Sequence, residues 1–263
     1  MKKNVNVFIF LIIFILSTSF NSTSKTLEKQ IRSTKNIKKY KYKIIKKISH
    51  GKNRFTEGLV IDDNYLYESL GLIKKSKIIK INLQKNNIVK NFKLQKNIFG
   101  EGITILGNKL YQLTYISNKG FIYDKNTLEL LDTFSINSQG WGLTNDGNNL
   151  IMGDGSSCIT FLNTKDYKIE KQIFVSNGIT NIGYINELEY VDNKIYANVW
   201  QTNYIVIIDP NSGMLVGYID LSSLKIDDKN PESVLNGIAI DKKTNNLFIT
   251  GKNWPFLYEI EIF

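Results

Sequence analysis

The sequence predicts an all-β chain, a five-bladed β-propeller closed by an N-terminal strand. Three observations carry that prediction. A tripeptide motif recurs five times: Glu57-Gly58-Leu59, Glu101-Gly102-Ile103, Trp141-Gly142-Leu143, Asn186-Glu187-Leu188 and Asn236-Gly237-Ile238, at spacings of 44, 40, 45 and 50 residues. A second apolar pair follows each copy at a near-constant distance: Leu66-Tyr67, Leu110-Tyr111, Leu150-Ile151, Ile195-Tyr196 and Leu247-Phe248. The intervening segments are short β-type runs and turn residues, with only three prolines and no long stretch of period 3.6. Strand-built repeats of this length are the mark of a propeller. A chain of 263 residues, 42% apolar, can bury one large core.

Taken in order, the chain opens with Lys2 and Lys3, an apolar run from Val7 to Leu16, and the small polar exit Ser17-Thr18-Ser19. This pattern predicts a signal peptide over 1–22 and a secreted or periplasmic protein. The run is shorter than the ~20 residues that span a bilayer, so no stable membrane insertion is expected. No cysteine follows it, which argues against a bacterial lipid anchor; an uncleaved tether is the alternative. Residues 23–39 are polar and basic and are expected to be a flexible lead-in. The propeller is assigned to 40–263.

Each repeat divides into strands. In the second, Ile103 to Leu106 turns at Gly107-Asn108 into Leu110 to Tyr115, followed by Gly120 to Tyr123 and Leu130 to Ile136. The third strand runs apolar or alternates in every repeat: Lys77 to Ile81, Phe121 to Tyr123, Ile159 to Leu162, Tyr204 to Ile208 and Phe256 to Ile260. Asp124-Lys125-Asn126 and Asp209-Pro210-Asn211 supply turn chemistry after it. The last repeat ends without a fourth strand. Tyr40 to Ser49, a strand pattern ahead of the first motif, is predicted to complete it and shut the ring, hiding strand edges.

The net charge is +10, but the lysines are scattered apart from a local cluster at Lys38 to Lys47. That distribution predicts a solvated basic surface, not a nucleic-acid site. Cys158, the single cysteine, cannot form an internal disulfide. With no His or basic group near it in sequence, it is predicted to be a buried structural thiol.

Radial repeats bring equivalent positions to one mouth. The residue that opens each motif gives Glu57, Glu101, Trp141, Asn186 and Asn236. The residue four beyond each second-strand pair gives Gly71, Tyr115, Gly155, Trp200 and Lys252. Two carboxylates, two carboxamides, a lysine and three large aromatics converge there. A purely structural ring would be small or apolar, whereas converging polar groups within aromatic walls make a small-molecule site.

These residues resemble a known family. Phe55-Thr56-Glu57-Gly58-Leu59, Tyr67-Glu68-Ser69-Leu70-Gly71, Phe99-Gly100-Glu101-Gly102-Ile103-Thr104, Gly140-Trp141-Gly142-Leu143-Thr144, Asn186-Glu187-Leu188-Glu189-Tyr190, Ala197-Asn198-Val199-Trp200 and Thr250-Gly251-Lys252-Asn253-Trp254-Pro255 look like the plant-type glutaminyl cyclases, or glutamine cyclotransferases. The similarity runs from about His50 to the C-terminus. It implies a five-bladed propeller, in agreement with the repeat count. It also implies cyclisation of an N-terminal glutamine to pyroglutamate with loss of ammonia, with no cofactor and no metal. The partners implied are peptides or proteins with N-terminal Gln, and a monomer is expected.

The resemblance places Glu101 as the catalytic acid, and Phe55, Glu57, Phe99, Tyr115, Trp141, Asn186, Trp200 and Lys252 in the pocket. The family usually carries Gln where this chain has Glu57, Trp where it has Tyr115, and Glu where it has Gln139. For such a reaction one carboxyl group, Glu101, can move a proton between the amine and the leaving nitrogen. Lys252 and Asn186 are donors suited to the developing oxyanion, and the aromatics exclude water and fold the glutamine for ring closure. His50 is read as structural.

Two alternatives stay open. One is a metal-dependent lactonase-type propeller, in which Glu57, Glu101, Asn186 and Asn236 supply oxygen ligands; Lys252 in the same ring counts against it. The other is a secreted, non-catalytic binding propeller that has kept the pocket.

Overall fold

In the computed structural model each repeat forms one antiparallel sheet whose strands follow one another in chain order. The structure describes residues 24–224, 226 and 230–263; the expected signal peptide lies outside them. Blade 1 is β3 (Thr56–Asp62), β4 (Tyr65–Leu70), β5 (Lys77–Asn82) and β6 (Asn87–Lys93). Blade 2 is β7 (Gly100–Leu106), β8 (Lys109–Thr114), β9 (Lys119–Asp124) and β10 (Leu130–Ser135). Blade 3 is β11 (Leu143–Asn145), β12 (Asn149–Gly153), β13 (Cys158–Asn163) and β14 (Ile169–Phe174). Blade 4 holds β15 (Ile185–Val191), β16 (Lys194–Val199), β17 (Tyr204–Ile208) and β18 (Leu215–Asp220).

Blade 5 combines β19 (Leu235–Asp241), β20 (Asn246–Gly251) and β21 (Phe256–Ile262) with β2 (Tyr42–Ser49) from the N-terminal side. The β2–β21 ladder runs from Tyr42 opposite Ile262 to Ser49 opposite Phe256. Reciprocal backbone bonds of 3.0 Å between Lys41 and Phe263 extend it. The predicted clasp strand is therefore in place.

The first strands of neighbouring blades pack against one another around the axis. β3 is buried almost throughout, whereas β6 at the rim is exposed. The core consists of apolar clusters between blades, such as Leu59, Leu66, Ile79 and Ile81 of blade 1 against Ala239 and Phe248 of blade 5.

The expected flexible lead-in is corrected by the structure. Residues 24–33 form a helix, and Leu27 and Ile31, one turn apart, are buried against blade 4 beside Tyr204 and Val206. Full burial of one aliphatic side chain contributes roughly 1.5–3 kcal/mol, enough to dock a short, otherwise polar helix. Strand β1 (Lys38–Tyr40) then pairs in parallel with β18, giving blade 4 a fifth strand. Cys158 is also corrected: it begins β13 and is half-buried. Burial still pushes its thiol pKa up, so it stays the neutral, inert form. No helix among the described residues is long and apolar enough to cross a membrane.

Candidate active site

The recurring motif marks a place where each inner strand leaves its ladder. The register between first and second strands jumps between Thr56 and Gly58, Gly100 and Ile103, Ile185 and Leu188, and Leu235 and Ile238. In blade 3, Trp141 and Gly142 precede the ladder altogether. Such bulges re-aim a side chain. Here they release Glu57, Glu101 and Asn186 from strict alternation and present them at one end of the axis.

The small residue that follows has a separate reason. A Cβ on Gly58 would meet Ile103 N at 2.6 Å, one on Gly102 Leu143 N at 2.5 Å, and one on Gly142 Asn186 O at 2.0 Å. Glycine therefore permits the inner strands of successive blades to touch. The fourth copy breaks this rule with Glu187, whose carboxyl oxygens accept the backbone N–H groups of Leu59 at 3.2 Å and Ile238 at 2.7 Å. One side chain thus ties blade 4 to blades 5 and 1.

All nine site residues predicted from the sequence line one cavity of about 340 Å³, together with Glu232. Phe55 and Phe99 meet edge-on at 6.3 Å, and Trp141 and Trp200 at 5.8 Å. Gly155, with φ +82°, makes room for one wall: a Cβ there would lie 2.4 Å from the Trp141 ring. Gln139, where the family usually carries Glu, accepts a hydrogen bond from Trp141 Nε1 at 3.1 Å.

The charged groups form a buried set. Lys252 Nζ is 2.8 Å from both Glu57 oxygens and 4.7 Å from the Phe55 ring centre. Asn236 Nδ2 donates to Glu57 Oε2 at 3.2 Å and to the Thr56 carbonyl at 2.9 Å. Burial pushes the Glu57 carboxyl up, Lys252 pulls it back, and Glu232 raises it further. Glu101 is held well above the usual carboxylate range, first by burial and then by the charge of Glu57, with Lys252 opposing. Its surroundings therefore favour the protonated form relative to an ordinary carboxyl. Asn186 Oδ1 is buried with no hydrogen-bond partner among the described residues, an arrangement that invites a ligand donor.

Asn236, part of the predicted ring, turns to Glu57 and Thr56 instead of lining the cavity. Glu232 escapes the repeat pattern because it lies on the connection between β18 and β19, the longest between blades. Its only sequence signal is a carboxylate beside Pro231 shortly before the fifth motif. His50 is buried, with Nε2 2.9 Å from Glu68 Oε1. Glu68 also accepts from Thr56 and Arg54. Burial pushes Glu68 up, but His50, Arg54 and Thr56 outweigh it and hold its carboxyl below the ordinary range. This knot braces the β3–β4 hairpin under Glu57. For the metal-dependent alternative, Lys252 already occupies both oxygens of Glu57, where a cation would be held.

The sequence model of the glutamine cyclotransferase family matches residues 13–262. Over 257 residues the chain is 35% identical to a glutaminyl-peptide cyclotransferase of Arabidopsis thaliana, covering 95% of this chain and 79% of that protein. The crystal structure of Myxococcus xanthus glutaminyl cyclase matches with a TM-score of 0.81 and 33% identity, over 86% of this chain and 98% of that one. With the family model, the relative and the solved structure each matched over nearly the whole length, the chain belongs to the glutamine cyclotransferase family.

Proposed function

We propose that this chain is a glutaminyl-peptide cyclotransferase, converting the N-terminal glutamine of a peptide to pyroglutamate with release of ammonia. The observation that carries the reading is a buried Glu101, its carboxyl held well above the ordinary range, in one small cavity with Lys252, Asn186 and an aromatic wall. The free α-amine of a peptide, whose ordinary pKa is about 7.7–8.0, attacks its own side-chain carbonyl carbon. Asn186 and the Lys252 N–H not directed at Glu57 stabilise the oxygen as it gains charge. Glu101 gives its proton to the side-chain nitrogen, which leaves as ammonia when the C–N bond breaks. The resulting Glu101 carboxylate takes the proton released by the new ring nitrogen, restoring the acid.

The aromatic residues keep the glutamine folded and dry. Positioning counts for much, because the bound reaction is unimolecular. Export of the chain is supported by the signal-like start, and action as a monomer is the simplest arrangement for a single-blade-ring site. Incubation with a Gln-initiated dipeptide amide, with and without chelator, tests the function. Ammonia release unaffected by chelator is expected; chelator-sensitive lactone hydrolysis, or inactivity on both substrates, overturns it.

A further inference from the structure

Beside the catalytic cavity lies a second, wider depression of about 800 Å³. The two share Phe55, so this ring is a partition between them. Five lysines line the depression: Lys74, Lys75, Lys77, Lys93 and Lys96. Among the described residues none of the five pairs with a carboxylate, whereas other surface lysines of this chain, such as Lys125 and Lys194, do. A group of unneutralised cations in one concavity repels itself and attracts anions.

The lysines are held, not scattered on a loose loop. In the β4–β5 connection Leu72 and Lys74 adopt φ of 82° and 69°, left-handed values that cost non-glycine residues free energy and persist only where neighbours enforce them. The enforcing contacts are specific. Lys74 N donates to the Lys96 carbonyl at 3.0 Å, Ser76 Oγ donates to the Leu72 carbonyl at 2.9 Å, and Gly100 N donates to Ser76 Oγ at 3.1 Å. The loop bearing Lys74 and Lys75 is thereby locked to the connection bearing Lys96. At its near end Gly71 N donates to the Phe55 carbonyl at 2.8 Å, which fixes the depression relative to the partition ring.

A peptide held by its N-terminal glutamine in the cavity of about 340 Å³ must lead the rest of its chain out past the cavity wall. We infer that the chain beyond the glutamine passes Phe55 into the lysine depression, and that this subsite selects peptides with acidic residues directly after the N-terminal Gln. The inference rests on the cyclotransferase reading and adds to it a substrate preference. Each exposed lysine–carboxylate pair adds about threefold in affinity, in the middle of its usual range, so two engaged carboxylates multiply to a preference of roughly tenfold.

The test compares Gln-Glu-Glu-amide with Gln-Gln-Gln-amide by ammonia release, and the corresponding pyroglutamyl product peptides by calorimetric binding. Wild-type protein is expected to favour the acidic peptide by roughly tenfold in kcat/KM, mostly through KM. The preference should shrink in 0.5 M salt as screening shortens. In the combined variant Lys74→Gln, Lys75→Gln, Lys96→Gln the acidic-to-neutral ratio should fall close to one, while Lys168→Gln, on a remote blade, keeps it. Equal kcat/KM for the two peptides in wild type, or an undiminished ratio in the triple variant, overturns the proposal. Turnover of the neutral peptide decides the cyclotransferase reading on its own. The product-peptide affinities report the acidic preference even if neither peptide is turned over.

Discussion

Lys252 Nζ stands 2.8 Å from both carboxylate oxygens of Glu57. The pair is nearly sealed, with Glu57 buried and Lys252 only slightly exposed. It sets a cation against the Glu57 carboxyl, whereas Glu101 has no ion-pair partner among the described residues. Lys252→Met strands a buried charge, and breaking such a pair costs about 3 kcal/mol or more. A large fall in thermal midpoint is expected, partly restored in the double variant Glu57→Gln, Lys252→Met. Thermal melts of wild type and the two variants measure this. No recovery in the double variant would show that Lys252 stabilises through packing alone.

Glu101→Gln should lower kcat about 10²–10⁴-fold, the usual worth of a positioned proton carrier. The fold should survive, since a carboxamide of equal size relieves the burial of an ionisable group. Ammonia release at saturating peptide, with a circular dichroism melt of the same sample, checks both halves. A well-folded variant at wild-type rate removes Glu101 from the mechanism.

Glu57→Gln should move the limb of the pH–rate profile set by Glu101 to lower pH. Burial and the Glu57 charge raise Glu101, and Lys252 opposes them. Removing Glu57 deletes the repulsion and frees Lys252, so Glu101 ionises more readily. In the proposed mechanism Glu101 acts first as an acid, so the limb concerned is the alkaline one: activity is lost as pH rises through its pKa. The pH dependence of kcat/KM for both proteins on one Gln-peptide decides, and superimposable profiles would show that the two groups titrate independently.

Stability should fall as pH rises from about 4.5 to about 7, in part through Glu189. This buried carboxyl accepts from Ile240 N at 3.0 Å and Thr144 Oγ1 at 3.2 Å, and burial pushes it up to about 7. A folded pKa raised above the unfolded value means that the native state holds the extra proton. Its contribution is complete below the ordinary carboxylate range and disappears as pH climbs through 7, a change on the order of 3 kcal/mol. Glu189→Gln mimics the protonated form, so its urea midpoint should vary less between pH 5 and 7.5 than that of wild type. Equal slopes would remove Glu189 as the titrating group.

Ile31→Ala should destabilise the protein by about 2–5 kcal/mol, the range for truncating a fully buried aliphatic residue. A substitution in a flexible leader would do nothing, so the melting temperature of this single variant tests whether the helix over 24–33 is docked in solution.

The blades and most of the cavity were legible in the sequence because a propeller repeats its geometry. Glu57, Glu101, Trp141 and Asn186 open successive motif copies; bulges in blades 1, 2 and 4, and in blade 3 the segment just before β11, carry them to the same mouth. Tyr115, Trp200 and Lys252 follow from the second-strand spacing. What resisted reading has no repeat behind it. Glu232 sits on an irregular connection. The helix over 24–33 offers only Leu27 and Ile31 against a polar background, a pattern too sparse to distinguish from a leader. Asn236 opens the fifth motif copy, but the direction of its side chain is set by Glu57 and the Thr56 carbonyl, contacts that emerge only in three dimensions.

The seam between β2 and β21 joins opposite ends of the described chain. Four blades can form from local hairpins as the polypeptide appears, but the circle cannot shut until the final strand is available. Bringing such distant segments together is slow, because the entropy of closing a long loop must be met before its contacts form. Until then the outer edge of β21 is an open template for pairing with another copy. The interval between formation of β21 and capture of β2 is therefore the one in which this edge is open to a second copy.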